Sequence, residues 1–349
     1  MSIQTGLISF GKASRIFHAP VITSVPGLEL VSVVERHKNE SQNEYPWLNV
    51  VRSTEELLKN DDIRLIVIAT PNDTHFDIAK ASLMAGKHVV VEKPFTITTT
   101  EARELTDLAR QNGLIISAFQ NRRWDGDFLT VKEILNRKSL GRLVAFESRF
   151  DRFRNYHRPE AWRERPGRGA GLLYDLGPHL IDQALVLFGM PLSVTADIRA
   201  QRNQAETDDF FHLRLDYPDL RVILEAGMLV GAETPRFMLH GTKGSFMKFG
   251  LDPQESKLSE GFRPSDDSEW GEEEQRYWGT LHTYADDKYI KTKVKTLKGD
   301  YRLFYENIAQ AIKGKADPFV TVDQMIKTIE IIEKAFVSQS QKKSVMLDS

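Results

Sequence analysis

The chain contains no cysteine among its 349 residues, which excludes disulfides and thiolate chemistry. It carries almost no net charge, because 47 Lys and Arg nearly cancel 49 Asp and Glu. No global field therefore draws it to nucleic acid or to an anionic membrane surface. No N-terminal apolar stretch is long enough for a signal peptide or a membrane span, and no repeat or low-complexity tract stands out. These absences lead to the expectation of a soluble, cytoplasmic protein, without nucleic-acid or membrane partner, that acts on a small molecule. The length suits two domains better than one core.

What is present has a clear order. From Ile3 to about Asn121 short apolar runs alternate with helical stretches, the pattern of a parallel sheet covered by helices. Strands are expected at Gly6 to Phe10, Leu28 to Val34, Leu65 to Ala69, His88 to Val91 and Leu114 to Phe119. A helix is expected from Asn72 or Asp73 to before Gly86. Another follows Thr98, which can form a capping box with Glu101, and stops at Gly113. Beyond Trp124 a helix near Phe128 to Arg137 and a strand near Leu143 to Phe150 lead through an arginine-rich stretch to a helix at Tyr174 to Phe188. Strand patterns then recur without helices at Val194 to Arg202, Phe210 to Tyr217, Arg221 to Met228 and Arg236 to His240, which argues for an antiparallel sheet. Asp252 to Gln275 is acidic and rich in turn residues and reads as a surface loop, with helices after it at about Tyr301 to Lys313 and Thr321 to Gln339. The expected fold is an α/β Rossmann domain over residues 1–122, then an α+β domain over 123–349 with a mainly antiparallel sheet. The last helices are free to pack back on the first domain.

The first expected strand runs into Ser9-Phe10-Gly11-Lys12-Ala13-Ser14, where a dinucleotide loop belongs. Glycines there permit a sharp turn and close approach to a pyrophosphate, while the following helix offers unpaired N–H groups. Only Gly11 matches G-x-G-x-x-G, since serines hold the outer positions, and an ordinary strand-to-helix turn explains the same residues. Glu35 stands at the end of the second strand, where a carboxylate accepts hydrogen bonds from ribose hydroxyls and favours NAD. Arg36 follows directly and suits the 2′-phosphate of NADP, so the lean from Glu35 towards NAD is slight and NADP stays open. Thr70-Pro71-Asn72, with His75 just beyond, closes another strand at the same sheet edge and can line the cofactor groove; a pre-proline turn capping the next helix accounts for it equally.

The chemistry is carried by two other segments. Glu92-Lys93-Pro94 closes the run Val89 to Val91 and puts a lysine at the C-terminal end of a strand, where open α/β sheets bind ligands. Such a lysine can donate a hydrogen bond to a substrate oxygen and act as a neighbouring cation for a base. Asp175 and His179 share one helix face, a turn apart, with Gly177-Pro178 between them. An imidazole can take the proton of an alcohol as hydride leaves carbon, and a carboxylate can orient it. Asp182 extends the array to D-x-x-x-H-x-x-D, which could in principle hold a metal, but no second histidine joins it at helical spacing; an outward-facing capping Asp is the plainer reading, and no metal is expected. Asn121, Arg122 and Trp124 fall at the expected domain junction, where cofactor and substrate would meet. The arginine-rich stretch from Arg152 to Arg168, with His157 and Trp162, reads as a loop covering the site or lying at a subunit contact.

With those residues in place, the chain resembles the glucose-fructose oxidoreductase/inositol dehydrogenase (Gfo/Idh/MocA) family over nearly its whole length. The resemblance rests on E-K-P at Glu92 to Pro94 and D-x-G-x-H at Asp175, Gly177 and His179. F-H-A-P at Phe17 to Pro20, N-R-R-W-D at Asn121 to Asp125, Y-D-L-G-P-H at Tyr174 to His179 and D-F-F-H at Asp209 to His212 are similar to a bacterial subgroup with NADP-dependent scyllo-inositol dehydrogenases. It implies a Rossmann half, an open-faced sheet half that often builds homodimers, and reversible oxidation of a secondary hydroxyl on a cyclic polyol or sugar. It also implies Lys93, Asp175 and His179 as the catalytic set. Cofactor residues would come from Ser9 to Ser14, Glu35, Arg36, Thr70, Pro71, Asn72, His75, Glu92, Lys93 and Asn121. Substrate contacts would come from Lys93, Arg122, Trp124, His157, Trp162, Asp175 and His179. Two rival readings remain: a sugar- or nucleotide-sensing protein on the same fold, and a dehydrogenase of a dihydrodiol or other carbonyl compound.

Overall fold

The computed structural model describes residues 2–158, 160–285 and 288–347. Its first sheet holds six parallel strands, β1 (Ile3–Ile8), β2 (Leu28–Val34), β3 (Asn49–Val51), β4 (Ile63–Ile68), β5 (His88–Val91) and β6 (Ile116–Ala118), in the order β3-β2-β1-β4-β5-β6. The reversal between β1 and β4 is the switch point at which doubly wound sheets bind ligands. Strands β4 and β5 carry unbroken apolar runs because helices cover both sheet faces. The helices are α1 (Ala19–Ile22), α2 (Glu40–Glu44), α3 (Thr54–Leu58), α4 (His75–Met84) and α5 (Thr99–Gln111). The Thr98–Glu101 capping box starts α5, and Gly113 follows it with a φ of +64°. Strand β1 ends two residues earlier than the pattern suggested, because the chain turns at Ser9. Strand β3 was missed, three residues being too few to display a period.

The second sheet has nine strands in the order β14-β13-β12-β11-β7-β10-β9-β8-β15. They are β7 (Leu143–Arg149), β8 (Ser193–Arg199), β9 (Phe210–Asp216), β10 (Arg221–Gly227), β11 (Phe237–Gly241), β12 (Gly244–Lys248), β13 (Gly279–Ala285), β14 (Lys288–Val294) and β15 (Val345–Met346). All pairings are antiparallel except β7 with β10. The helices of this half include α6 (Gly126–Asn136) and α7 (Leu172–Phe188), and the core joins Phe146, Leu213, Leu224 and Phe237 of the sheet to Leu173, Leu176, Leu180 and Ile181 of α7 and to Ile329, Ile332 and Ala335 near the end of the chain. The β13–β14 hairpin escaped the sequence reading because its second strand is almost wholly exposed and shows no apolar alternation.

The chain divides into two compact units, one of residues 1–121, 254–270 and 300–326 and one of 122–253, 271–299 and 327–349. A single cut at 122/123 misplaces 254–270, whereas 300–326 returns to the first unit as the last helices were left free to do. The stretch expected to be a surface loop contains α8 (Gln254–Ser259), with Gln254, Leu258 and Trp270 buried. The Gln254 side-chain oxygen accepts from Trp270 Nε1 at 3.0 Å and from the Tyr301 N–H at 2.8 Å. Its acidic residues masked the buried Leu258 and Trp270. Helix α9 (Arg302–Ile312) also belongs to the first unit, packing Phe304 and Tyr305 against Phe119. Helix α10 (Val322–Gln341) closes the chain's helical content. No described helix is long and apolar enough to cross a membrane.

Candidate active site

In the first unit the loop after β1 has the shape that a dinucleotide requires, by an unusual route. Ser9 stands where the motif places its first glycine and adopts a φ of +83°, a left-handed conformation costing a side-chain-bearing residue about 1–3 kcal/mol. The turn is held by the Ser14 hydroxyl, which donates to the Ser9 carbonyl at 2.7 Å, and by the Gly11 N–H, which donates to Ser9 Oγ at 3.3 Å. Gly11 and Lys12 are exposed and Ala13 half-buried. Residues Ser14–His18 then form a π-helical turn, followed by Pro20, which cannot donate a backbone hydrogen bond. A cleft of about 570 Å³ opens beside this loop, lined among others by Phe10, Gly11, Lys12, Tyr45 and, from the returning segment, Arg263. The bare loop backbone and adjoining cleft fit a dinucleotide.

Two expected cofactor contacts are otherwise engaged. Glu35 is buried, and its carboxylate accepts from the backbone N–H groups of Glu40 and Ser41 at 2.9 Å each, and from the Ser41 hydroxyl. It caps the start of α2 rather than facing a ribose. Arg36 is exposed, with no hydrogen-bond or ion-pair partner among the described residues. His75 is fully buried, one ring nitrogen 2.9 Å from the Pro94 carbonyl and the other 3.0 Å from that of Thr70. It ties the Thr70–Asn72 turn to Pro94, and neither ring nitrogen is left for a cofactor. The turn itself is braced by the Thr74 hydroxyl, which donates to Pro71 O at 2.7 Å. Pro71 is exposed and Asn72 buried.

Lys93 follows β5, half-buried, and its backbone N–H donates to Glu92 Oε2 at 2.9 Å. The other Glu92 oxygen lies 3.0 Å from His18 Nε2, and His18 Nδ1 lies 2.6 Å from the Tyr305 hydroxyl. Burial pushes the Glu92 carboxyl up, but the His18 hydrogen bond and the charges of His18, Lys93 and His75 outweigh it, leaving the group below the ordinary carboxylate range. Glu92 thus faces inward to His18 and is unavailable as a cofactor ligand.

In the second unit Asp175 lies half-buried in the first turn of α7, and His179 is buried one turn on. The helix starts at Leu172, two residues before the expected Tyr174, with Pro178 inside it. Its start is fixed by Gly171, whose φ is +92° and whose place would put any Cβ 1.9 Å from Asp208 Oδ1. The other Asp208 oxygen accepts from the Leu173 N–H at 2.7 Å. Arg163 forms an ion pair with Asp175 at 3.0 Å, which fastens the arginine-rich stretch to this helix, and its guanidinium lies over Trp162 at 4.4 Å. His157 Nδ1 stands 3.5 Å from Glu164, which also accepts from Arg154 at 3.0 Å.

Asp182, the third member of the acidic array, is buried and bound bidentately by Arg123, at 2.7 and 2.6 Å. It anchors α7 instead of capping outward. Among the described residues no group of three or more His, Asp or Glu is arranged to hold a metal. Arg122 pairs with Asp125 at 3.2 Å and lies over Phe150 at 4.7 Å, while Asn121 and Trp124 are buried. His18, Tyr305, Arg123 and Asp208 escaped the sequence reading. F-H-A-P exposed His18 only as a pattern, and nothing local marks partners so distant in the chain.

Burial pushes the Asp208 carboxyl up to about 6 from an ordinary 3.8, in spite of backbone hydrogen bonds from Leu173 and Leu172. Between those values the native state keeps a proton that the unfolded chain has released, so this group's contribution to stability falls as pH rises through the window. Asp208→Asn keeps an acceptor for Leu173 and removes the titration. Urea unfolding of parent and variant at about pH 4 and pH 7 should show the stability difference moving in the variant's favour at the higher pH.

Comparison with known proteins places these features. Residues 3–120 match the family model described as the NAD-binding Rossmann fold of an oxidoreductase family, and residues 132–347 match the C-terminal alpha/beta domain of the same family. The chain is 44% identical over 99% of both sequences to the uncharacterized oxidoreductase YdgJ of Escherichia coli. It is 39% identical to the NADP(+)-dependent scyllo-inositol 2-dehydrogenase IolW of Bacillus subtilis, over 99% of this chain and 96% of the relative. A solved oxidoreductase structure from Bacillus subtilis, yvaA, covers 99% of each chain at 38% identity with a TM-score of 0.96.

Proposed function

The chain belongs to the Gfo/Idh/MocA oxidoreductase family, and from that premise we propose that it reversibly oxidises a secondary hydroxyl of a cyclic polyol or sugar, with NADP as the preferred cofactor. The observations that carry the reading are a strand-end Lys93 after β5 in the first unit and, in the second, Asp175 and buried His179 on one face of α7. A sensor has no need of a lysine donor and an imidazole acceptor together. IolW, similar over nearly its whole length, is a scyllo-inositol 2-dehydrogenase.

The loop Ser9–Ser14 would hold the pyrophosphate on its backbone N–H groups. Arg36, exposed where Glu35 is engaged in capping, would meet the 2′-phosphate. A nicotinamide held there would supply the acceptor for the hydride that leaves the carbon bearing the hydroxyl. Lys93 donates to the substrate oxygen, His179 takes the hydroxyl proton as the C–H bond breaks, and Asp175 orients His179 or a neighbouring hydroxyl. In the reverse direction His179 returns the proton to the oxygen.

The experiment is a panel of inositols and aldoses offered with NADP or NAD, followed at the reduced-nicotinamide absorbance. Arg36→Ser should lower the NADP-over-NAD preference about 10–100-fold, as expected for loss of hydrogen bonds to a charged group. An unchanged preference would remove Arg36 from cofactor choice.

A further inference from the structure

Three buried polar side chains are linked to Lys93 through the Glu92 carboxylate. Tyr305 and His18 are fully buried and Glu92 nearly so. Their contacts form an unbroken line: Tyr305 hydroxyl to His18 Nδ1 at 2.6 Å, His18 Nε2 to Glu92 Oε1 at 3.0 Å, and Glu92 Oε2 to the Lys93 N–H at 2.9 Å. A carboxylate only accepts, so His18 donates to Glu92 through Nε2–H, and its Nδ1 meets the Tyr305 hydroxyl. Burial and the Glu92 charge hold the Tyr305 phenol well above its ordinary value, so it stays a donor. Phe119, 4.5 Å from the His18 ring, walls the line off on one side, and the π-helical turn Ser14–His18 delivers the imidazole inward.

Such a line is poor material for stability alone, because apolar side chains of similar volume fill a core at less desolvation cost. We propose that Tyr305, His18 and Glu92 are positioning residues for catalysis: they fix the Lys93 backbone and keep an anion behind it, so that its ammonium is held toward the substrate oxygen. This rests on the reading of Lys93 as the substrate donor. The returning segment that supplies Tyr305, 287 residues after His18, thereby becomes part of the catalytic apparatus.

The test uses the full-length protein and the variants His18→Ala, His18→Gln, Tyr305→Phe and Lys93→Met. For each, kcat and substrate KM are measured, with cofactor Kd from the fluorescence of the reduced form, and Tm. His18→Ala should lose about 10–100-fold in kcat, the usual cost of removing an outer hydrogen-bonding partner, while KM and cofactor Kd change about twofold or less. His18→Gln, whose amide nitrogen can still donate to Glu92, should recover most of the loss. Should His18→Ala fail to fold, Tyr305→Phe carries the same split with a smaller drop in kcat. Full kcat in folded His18→Ala or Tyr305→Phe beside an inactive Lys93→Met overturns the positioning role and leaves the lysine reading standing. So does a loss that follows Tm and cofactor Kd and is not relieved by glutamine. Full turnover in Lys93→Met overturns both.

Discussion

Lys93→Met lowers turnover about 10²–10³-fold, the scale on which removing a single preorganised donor from a developing oxyanion acts, while reduced-cofactor affinity stays within about twofold. Methionine keeps the length and apolar stem of lysine and removes only the ammonium. The Glu92 contact to residue 93 is made by its backbone N–H, so it survives the exchange, and the local fold is retained. Single-turnover kinetics separate the outcomes. A slowed hydride-transfer step with unchanged binding places the lysine in the chemistry; a raised KM with unchanged kcat would make it a substrate anchor only.

His179→Ala carries the second large effect. General-base catalysis by a positioned side chain contributes about 10²–10⁴-fold, and the variant loses that factor together with the rise of kcat/KM with pH that an imidazole base imposes. The start of the helix is set by Gly171 and Asp208 and its inward anchor is the Arg123–Asp182 pair, all of which the variant retains. A pH–rate profile of parent and variant checks this. Retention of the same limb in the variant would assign the base to another group.

Much of the site could be read from the sequence because its markers are local. A lysine after three valines identifies a strand end, and a spacing of four identifies one helix face. The capping box at Thr98 and Glu101 needs only neighbours along the chain. What could not be read depends on distant contacts. Glu35 occupies the position of a ribose-binding carboxylate, yet the short helix after it supplies two N–H groups that claim both oxygens. His75 had the right place for a cofactor contact, but two backbone carbonyls take its ring. Asp182 looked like a third metal ligand or an outward cap, and Arg123, 59 residues earlier, turns it into a buried anchor. The acidic stretch from Asp252 hid a helix because burial of Gln254, Leu258 and Trp270 becomes visible only against the segments they pack on. Ser9 departs from the glycine motif in identity while keeping its backbone geometry.

The measurement that tests the central claim most directly is reduced-nicotinamide absorbance on mixing the purified protein with NADP and scyllo-inositol, alongside other inositols, aldoses and NAD. The account predicts growth with a cyclic polyol or sugar that is faster with NADP than with NAD. Measurable NADP binding with no growth on any polyol or sugar, or growth only with a non-sugar carbonyl compound or dihydrodiol, would contradict it.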